Sequence, residues 1–238
     1  MASPLELVKL TELMERTSGR AETKVAIIDG PVVAHHPDLA GESLYEIAGN
    51  LSARCTEGDT IACLHGTFVA GILCAKRGSI APAICPKCTF FLRPIFTKKV
   101  IGREQMFSAT PQELATAIAD CIREGAHVIN LSLALEQPSI NGEQELEDAL
   151  NHAAKRGVLV VAAAGNQGTL GSSPITRHPW VIPVAACDLA GRPAHESNAG
   201  HSIGRRGLSA PGKEITSLSA GGGFLTLGGT SVAAPFVT

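Results

Sequence analysis

The stretch KVAIIDG, Lys24–Gly30, decides how the rest of the chain is read. Its apolar residues Val25 to Ile28 are mostly β-branched and are apolar on both faces, which predicts a buried strand. Asp29-Gly30-Pro31 breaks that strand with turn chemistry. Working outward, HGTFVAGILCA (65–75) predicts a helix and CTFFLRPIF (88–96) a second strand. PQELATAIADCIREG (111–125) predicts an amphipathic helix, with proline near its start and Gly125 at its end. Strand AHVINLSL (126–133), helix GEQELEDALNHAAKRG (142–157), and strands VLVVAAAG (158–165) and WVIPVAA (180–186) follow. Strands without a polar face, alternating with helices, imply a parallel sheet covered on both sides. The fold class is therefore α/β, a doubly wound and mostly parallel sheet with helices on both faces.

At 238 residues and 45% apolar composition the chain suffices for one such domain. A charged fraction of 18% and a net charge of −2 give no electrostatic basis for a nucleic-acid or anionic-membrane partner. In residues 1–20, MASPLELVKLTELMERTSGR, charges at Glu6, Lys9, Glu12, Glu15 and Arg16 interrupt every apolar run, so no secretion signal is read. The spacing of Leu5, Val8, Leu7, Leu10 and Met14 predicts one short amphipathic helix behind Ser3-Pro4. Residues 1–22 are thus expected to form an N-terminal helical extension, and 23–238 the domain. Nothing approaches the ~20 apolar residues of a membrane span. The expectation is a soluble, cytoplasmic protein.

Seven cysteines without an export signal are expected to be free thiols first of all. A facultative disulfide, Cys85–Cys88 or Cys55–Cys63, is the next reading. Zinc comes last, because Cys85-Pro-Lys-Cys88 lacks a second pair at similar spacing.

In open α/β sheets ligands bind beyond the carboxyl ends of the strands, which directs attention to Asp29, Asn130-Leu131-Ser132 and Asn166. His65 is expected to open one helix and Ser231 the last one. Taken singly, each has a bland reading: Asp29 as a turn residue, His65 as a helix-start residue, Ser231 as an N-cap, and Asn166 as a loop residue between glycines. Taken together, Asp, His and Ser are the parts of an activated nucleophile. Their chain order, Asp then His then Ser, is the one seen in subtilisin.

The motifs resemble those of the subtilisin-like serine proteases, the subtilases. VAIIDG resembles the family's Asp motif, HGTFVAG its His motif, GGTSVAAP its Ser motif, and VVAAAGNQG the segment with the oxyanion-hole asparagine. HPDL, GAHVINLSL, HPWVIPVAA and LSAPG agree as well. The resemblance implies Ser231 as nucleophile, His65 as general acid and base, and Asp29 as its orienting carboxylate. Asn166 and the Ser231 N–H would be the oxyanion donors, with no metal or organic cofactor. It also implies a peptide or protein substrate lying along Ser132, Leu133, Ala134 and Leu135 on one side, and Ala163, Ala164 and Gly165 on the other, with Gln167 at the rim. Ala134 and Leu135 stand where the family commonly has glycines, which should narrow the first specificity pocket. Asp38 matches a position that often ligates calcium, but no partner loop interrupts the following helix, so a turn role is expected.

IIDGPV, HPDLAG, RPIF and GAHVINLSL are similar to the maturation proteases of cyanobactin-type peptides. This implies processing of a specific precursor, and the lack of room for a chaperone-like propeptide before Asp29 agrees. A macrocyclase of the same fold and a non-enzymatic peptide-binding pseudoprotease are the alternatives. A macrocyclase would carry a helical lid between Asp29 and His65, where the interval has room for a strand and loop. Residues 232–238 give barely two turns after Ser231, so the domain is expected to be truncated and Ser231 poorly held.

Overall fold

A computed structural model describes residues 3–49, 55, 60–95, 108–135 and 142–238; for Ser108, Ala134 and Leu135 it describes the backbone only. The N-terminal segment departs from its predicted single helix. Ser3 and Glu6 form a reciprocal capping box that starts α1 (Pro4–Leu7). Lys9 then adopts φ 56, and the chain restarts as α2 (Thr11–Arg16). A left-handed non-glycine residue cannot continue a helix, so the apolar spacing is shared between two short pieces.

The domain follows in the order β1 (Lys24–Asp29), β2 (Leu44–Glu46), α3 (Ile61–Cys74) and β3 (Thr89–Pro94). Next come β4 (Ser108–Ala109), α4 (Pro111–Arg123), β5 (Val128–Leu131), β6 (Ala134–Leu135), α5 (Glu143–Arg156) and β7 (Leu159–Ala163). The last part comprises α6 (Pro174–Arg177), β8 (Val181–Cys187), α7 (His201–Arg206), β9 (Leu208–Pro211), the hairpin β10 (Ile215–Leu218) and β11 (Phe224–Leu227), and α8 (Thr230–Ala233). Seven strands form one parallel sheet in the order β2-β3-β1-β5-β7-β8-β9. The expected doubly wound fold is therefore present. Strand β2, the edge strand β9 and the two small pairs were not predicted.

Alternation along the central strands assigns each face. Ala26, Ile28, Ile129, Leu131, Val160 and Ala162 pack under α4 and α5 with Leu114, Ile118 and Leu150. Val25 and Ile27 point to the other face, against Val69, Ala70 and Leu73 of α3. Phe68 and Ile72 of α3 meet Val161, Val184 and the C-terminal segment Val232–Phe236 on that same face. Asp29 continues the odd-numbered row of β1 and so points toward α3.

The final segment is better held than its length suggests. Pro235 turns α8 into a single 3-10 turn, Ala234–Phe236, and Val232, Ala233, Ala234 and Phe236 are buried. Burying a Val or Phe side chain contributes about 1.5–3 kcal/mol relative to exposure, which holds a helix too short to persist alone. Thr238 adds a hydroxyl hydrogen bond to Asn130 Oδ1 at 2.9 Å.

The first expectation, free thiols, is corrected at one pair, where the second reading, a Cys55–Cys63 disulfide, applies. Cys55 is bonded to Cys63 in the first turn of α3, while Cys74, Cys85, Cys88, Cys121 and Cys187 are thiols. Thiol titration of the unfolded, unreduced chain should therefore find five reactive groups, and seven after reduction. Seven before reduction would show that Cys55 and Cys63 are not joined.

Candidate active site

Strand order reverses between β3-β1 and β1-β5, so the carboxyl ends of β1 and β5 flank the crevice where this architecture binds ligands. Asp29 ends β1, and Ser132 follows β5. Helix α3 lies directly on the turn after Asp29. A Cβ on Gly66 would collide with the carbonyl oxygens of Gly30 and Pro31, and one on Gly30 with the carbonyl of Ala62. Close approach of the two backbones therefore requires glycine at both positions. Thr60 caps α3 by accepting from the Cys63 N–H at 3.2 Å, so the helix begins before His65. The histidine lies in its second turn instead of opening it.

That placement puts His65 Nδ1 2.7 Å from Asp29 Oδ1. His65 Nε2 is 2.9 Å from Ser231 Oγ. Asp29 is 1% exposed and His65 8%. The carboxylate can only accept, so Nδ1 carries a hydrogen, and in the neutral ring Nε2 is left to accept from the serine hydroxyl. Asp29 Oδ1 also accepts from the Gly30 N–H at 2.6 Å, while the buried Oδ2 has no partner among the described residues.

Two opposed effects set the proton affinity of His65. Burial is the largest and disfavours the imidazolium; the charge of Asp29 and its hydrogen bond favour it and together prevail, raising the pKa. A raised folded value means that the pair stabilises the fold fully below the ordinary histidine pKa of about 6.5. That contribution is lost as pH rises through the folded value.

Asn166 stands in the loop after β7, which Gly165 turns with φ +103. Its Oδ1 accepts from the Thr230 N–H at 2.8 Å and the Thr230 hydroxyl at 3.0 Å. The backbone donor fixes which amide atom is oxygen, so Nδ2 is available to donate elsewhere. Gly229, at φ +125, leaves room beside that Nδ2; a Cβ there would stand 3.0 Å from it. Ser231 is the second residue of α8, so its N–H belongs to those a helix start leaves without an intrahelical acceptor. Thr230 gave no sequence signal beyond its place in GGTSVAAP.

The expected cleft residues divide. Ser132 is 1% exposed, and its hydroxyl donates to the Ser231 carbonyl at 2.8 Å, so its side chain faces the Ser231 backbone. Asn130 Nδ2 donates to Ser132 Oγ at 2.8 Å. Leu133, Ala163 and Ala164 are buried, and Gln167 is exposed at the loop rim. Ala134 and Leu135 form β6, paired with β4, but their side chains lie outside the described residues. Between Asp29 and His65 the described residues include β2, and residues 50–54 and 56–59 lie outside them.

At the expected turn, the Asp38 carboxylate accepts from the Ser79 hydroxyl at 3.0 Å. The Lys76 ammonium donates to the adjacent Pro37 carbonyl at 2.8 Å. One carboxylate beside a lysine does not fit the oxygen-rich shell of calcium. Among the described residues, no group of three or more His, Cys, Asp or Glu is gathered for a metal.

Residues 20–238 match the subtilase family, peptidase S8. The chain belongs to the subtilase family. A thermostable alkaline protease of Halalkalibacterium halodurans is 35% identical over 217 residues, covering 90% of this chain and 54% of the relative. The chain thus spans about half the length of that relative. Among solved structures, a mutant protease domain of PatA is 34% identical with a TM-score of 0.82, covering 92% of this chain and 77% of that one. The prenylagaramide maturation protease PagA is 31% identical with a TM-score of 0.81, covering 96% and 76%.

With His65 as base, the acid limb of the kcat/KM–pH profile should lie above about 6.5, because the neutral ring is required. Asp29→Asn should lower both the limb and the plateau. A limb at or below the ordinary value would contradict the raised pKa. Gly66→Ala should cost about 1–3 kcal/mol of stability by overpacking and should reduce activity together with the melting temperature. A stable variant with full activity would show that α3 does not need this close contact.

Proposed function

We propose that this subtilase is a serine endopeptidase acting on a specific precursor peptide. The observation that carries the reading is the continuous path from Asp29 Oδ1 through both nitrogens of His65 to Ser231 Oγ, at 2.7 and 2.9 Å. In this reading Ser231 attacks the scissile carbonyl while His65 Nε2 takes its proton. Asp29 orients the ring and stabilises the imidazolium without accepting the proton itself. Negative charge then develops on the carbonyl oxygen, where Asn166 Nδ2 and the Ser231 N–H would donate. The preorganised amide is worth most in the transition state; removing its counterpart in subtilisin costs ~2.7–4 kcal/mol, the standard example of the effect. His65 returns its proton to the leaving amine, and water resolves the acyl-enzyme by the reverse steps.

The precursor-processing part rests on likeness to PatA and PagA, the latter described as a maturation protease. The residue types at 134 and 135 also support it, alanine and leucine standing where the resemblance to the family implies glycines. The PatG macrocyclase domain, at 23% identity, bears on the fold alone.

Ser231→Ala should remove turnover almost entirely while preserving peptide affinity, with residual rate only from oxyanion binding. Unchanged turnover in Ser231→Ala would refute the serine-protease reading. Wild type should cleave a leader-bearing precursor at one bond and leave casein nearly intact. Ala134→Gly combined with Leu135→Gly should widen the accepted peptides. Indiscriminate casein digestion would argue for a general protease, and a product closed by its own amine for a macrocyclase.

A further inference from the structure

The Asn166 side chain is anchored to Thr230, but its backbone belongs to a glycine-flanked loop with no regular secondary structure of its own. One side chain from a separate segment grips that loop along its length. Asn198 Oδ1 accepts from the Gln167 N–H at 3.0 Å and from the Thr169 N–H at 3.1 Å. It also accepts from the Thr169 hydroxyl at 3.1 Å. Asn198 Nδ2 donates to the Ala164 carbonyl at 3.2 Å and to Gln167 Oε1 at 2.7 Å. The two backbone donors fix the orientation of this amide without recourse to assignment. Both of its N–H groups and its oxygen are thereby spent on residues either side of Asn166.

The backbone reinforces the grip. Asn198 N–H donates to the Gly165 carbonyl at 2.8 Å, and Gly168 N–H to the Glu196 carbonyl at 2.8 Å. Gly165 is what lets the amide in: a Cβ there would occupy the place of Asn198 Nδ2. A larger residue at 165 would be both strained by its φ and sterically opposed to Asn198.

We infer that Asn198 is a positioning residue for the oxyanion site, fixing the 164–169 loop so that Asn166 Nδ2 is aimed before charge develops. This deepens the protease reading and rests on it. Asn198 touches neither nucleophile nor histidine; it acts through Asn166. An oxyanion donor must be held within a fraction of an ångström to serve the transition state.

The test compares Asn198→Ala, Asn198→Asp, Asn166→Ala and the double alanine variant with wild type on a peptide ester substrate. Asn198→Ala should lower kcat about ten- to hundredfold with KM changed less than about twofold. The double variant should be no slower than Asn166→Ala alone, because the lost aim matters only while the donor exists. Asn198→Asp keeps the acceptor contacts and should recover part of the rate. Hydrogen exchange should rise in residues 164–169 of Asn198→Ala and stay unchanged in β7. A kcat within about twofold of wild type, or single losses that multiply in the double variant, would overturn the proposal. Unaltered exchange in the loop would overturn it whatever the activity. An inactive wild type whose loop exchange still responds to Asn198→Ala would instead sink the protease reading and leave the anchoring intact.

Discussion

Helix α3 can reach the end of β1 only because Gly30 and Gly66 place bare backbone against bare backbone. A side chain at either position would collide with carbonyl oxygens that have nowhere to move. The contact between His65 and Asp29 follows from that approach. His65 immediately precedes Gly66, so the contact that seats the helix also lays the imidazole on Asp29. The same helix presents Phe68 and Ile72 to the C-terminal segment, and so it also fixes the distance from His65 to Ser231. Glycine directly after Asp29 is therefore a packing requirement of this chain. Among the described residues both hydrogen bonds to the Asp29 carboxylate converge on Oδ1.

Around that contact the electrostatics is arranged in a low-dielectric site. Burial alone would push His65 toward the neutral ring, and Asp29 counteracts it. On the opposite side, Asn166 is oriented by Thr230 and its loop is held by Asn198. The two halves come from different parts of the chain, β1 with α3 and β7 with α8, and the parallel sheet brings them to one edge. The Ser132 hydroxyl joins them by holding the Ser231 carbonyl.

The sheet was legible because its strands are apolar on both faces, a pattern that survives without knowledge of pairing. Asp29, His65, Asn166 and Ser231 were legible because their motifs resemble those of the subtilases, and the structure joins Asp29, His65 and Ser231 by hydrogen bonds and ties Asn166 to Thr230 beside them. Other features were not, for physical reasons. Thr230 and Asn198 act through hydrogen bonds to residues far away in sequence, and nothing in GGTSVAAP or HESNAG announces those partners. The start of α3 lies outside the HGTFVAG motif that signals the helix, because Thr60 caps it five residues before His65. Periodicity alone implies a single N-terminal helix because it cannot register the backbone reversal at Lys9. The security of the last turn depends on burial against α3 and the sheet, which a helix-length argument cannot see.

The most direct measurement is a crystal structure of the chain with a peptidyl boronate, whose tetrahedral boron imitates the acyl-transfer intermediate. The account predicts a boron–Oγ bond at Ser231, one boronate oxygen within hydrogen-bond reach of both Asn166 Nδ2 and the Ser231 N–H, and His65 still bonded to Asp29. An adduct on another residue, or a boronate oxygen directed away from Asn166, would contradict it.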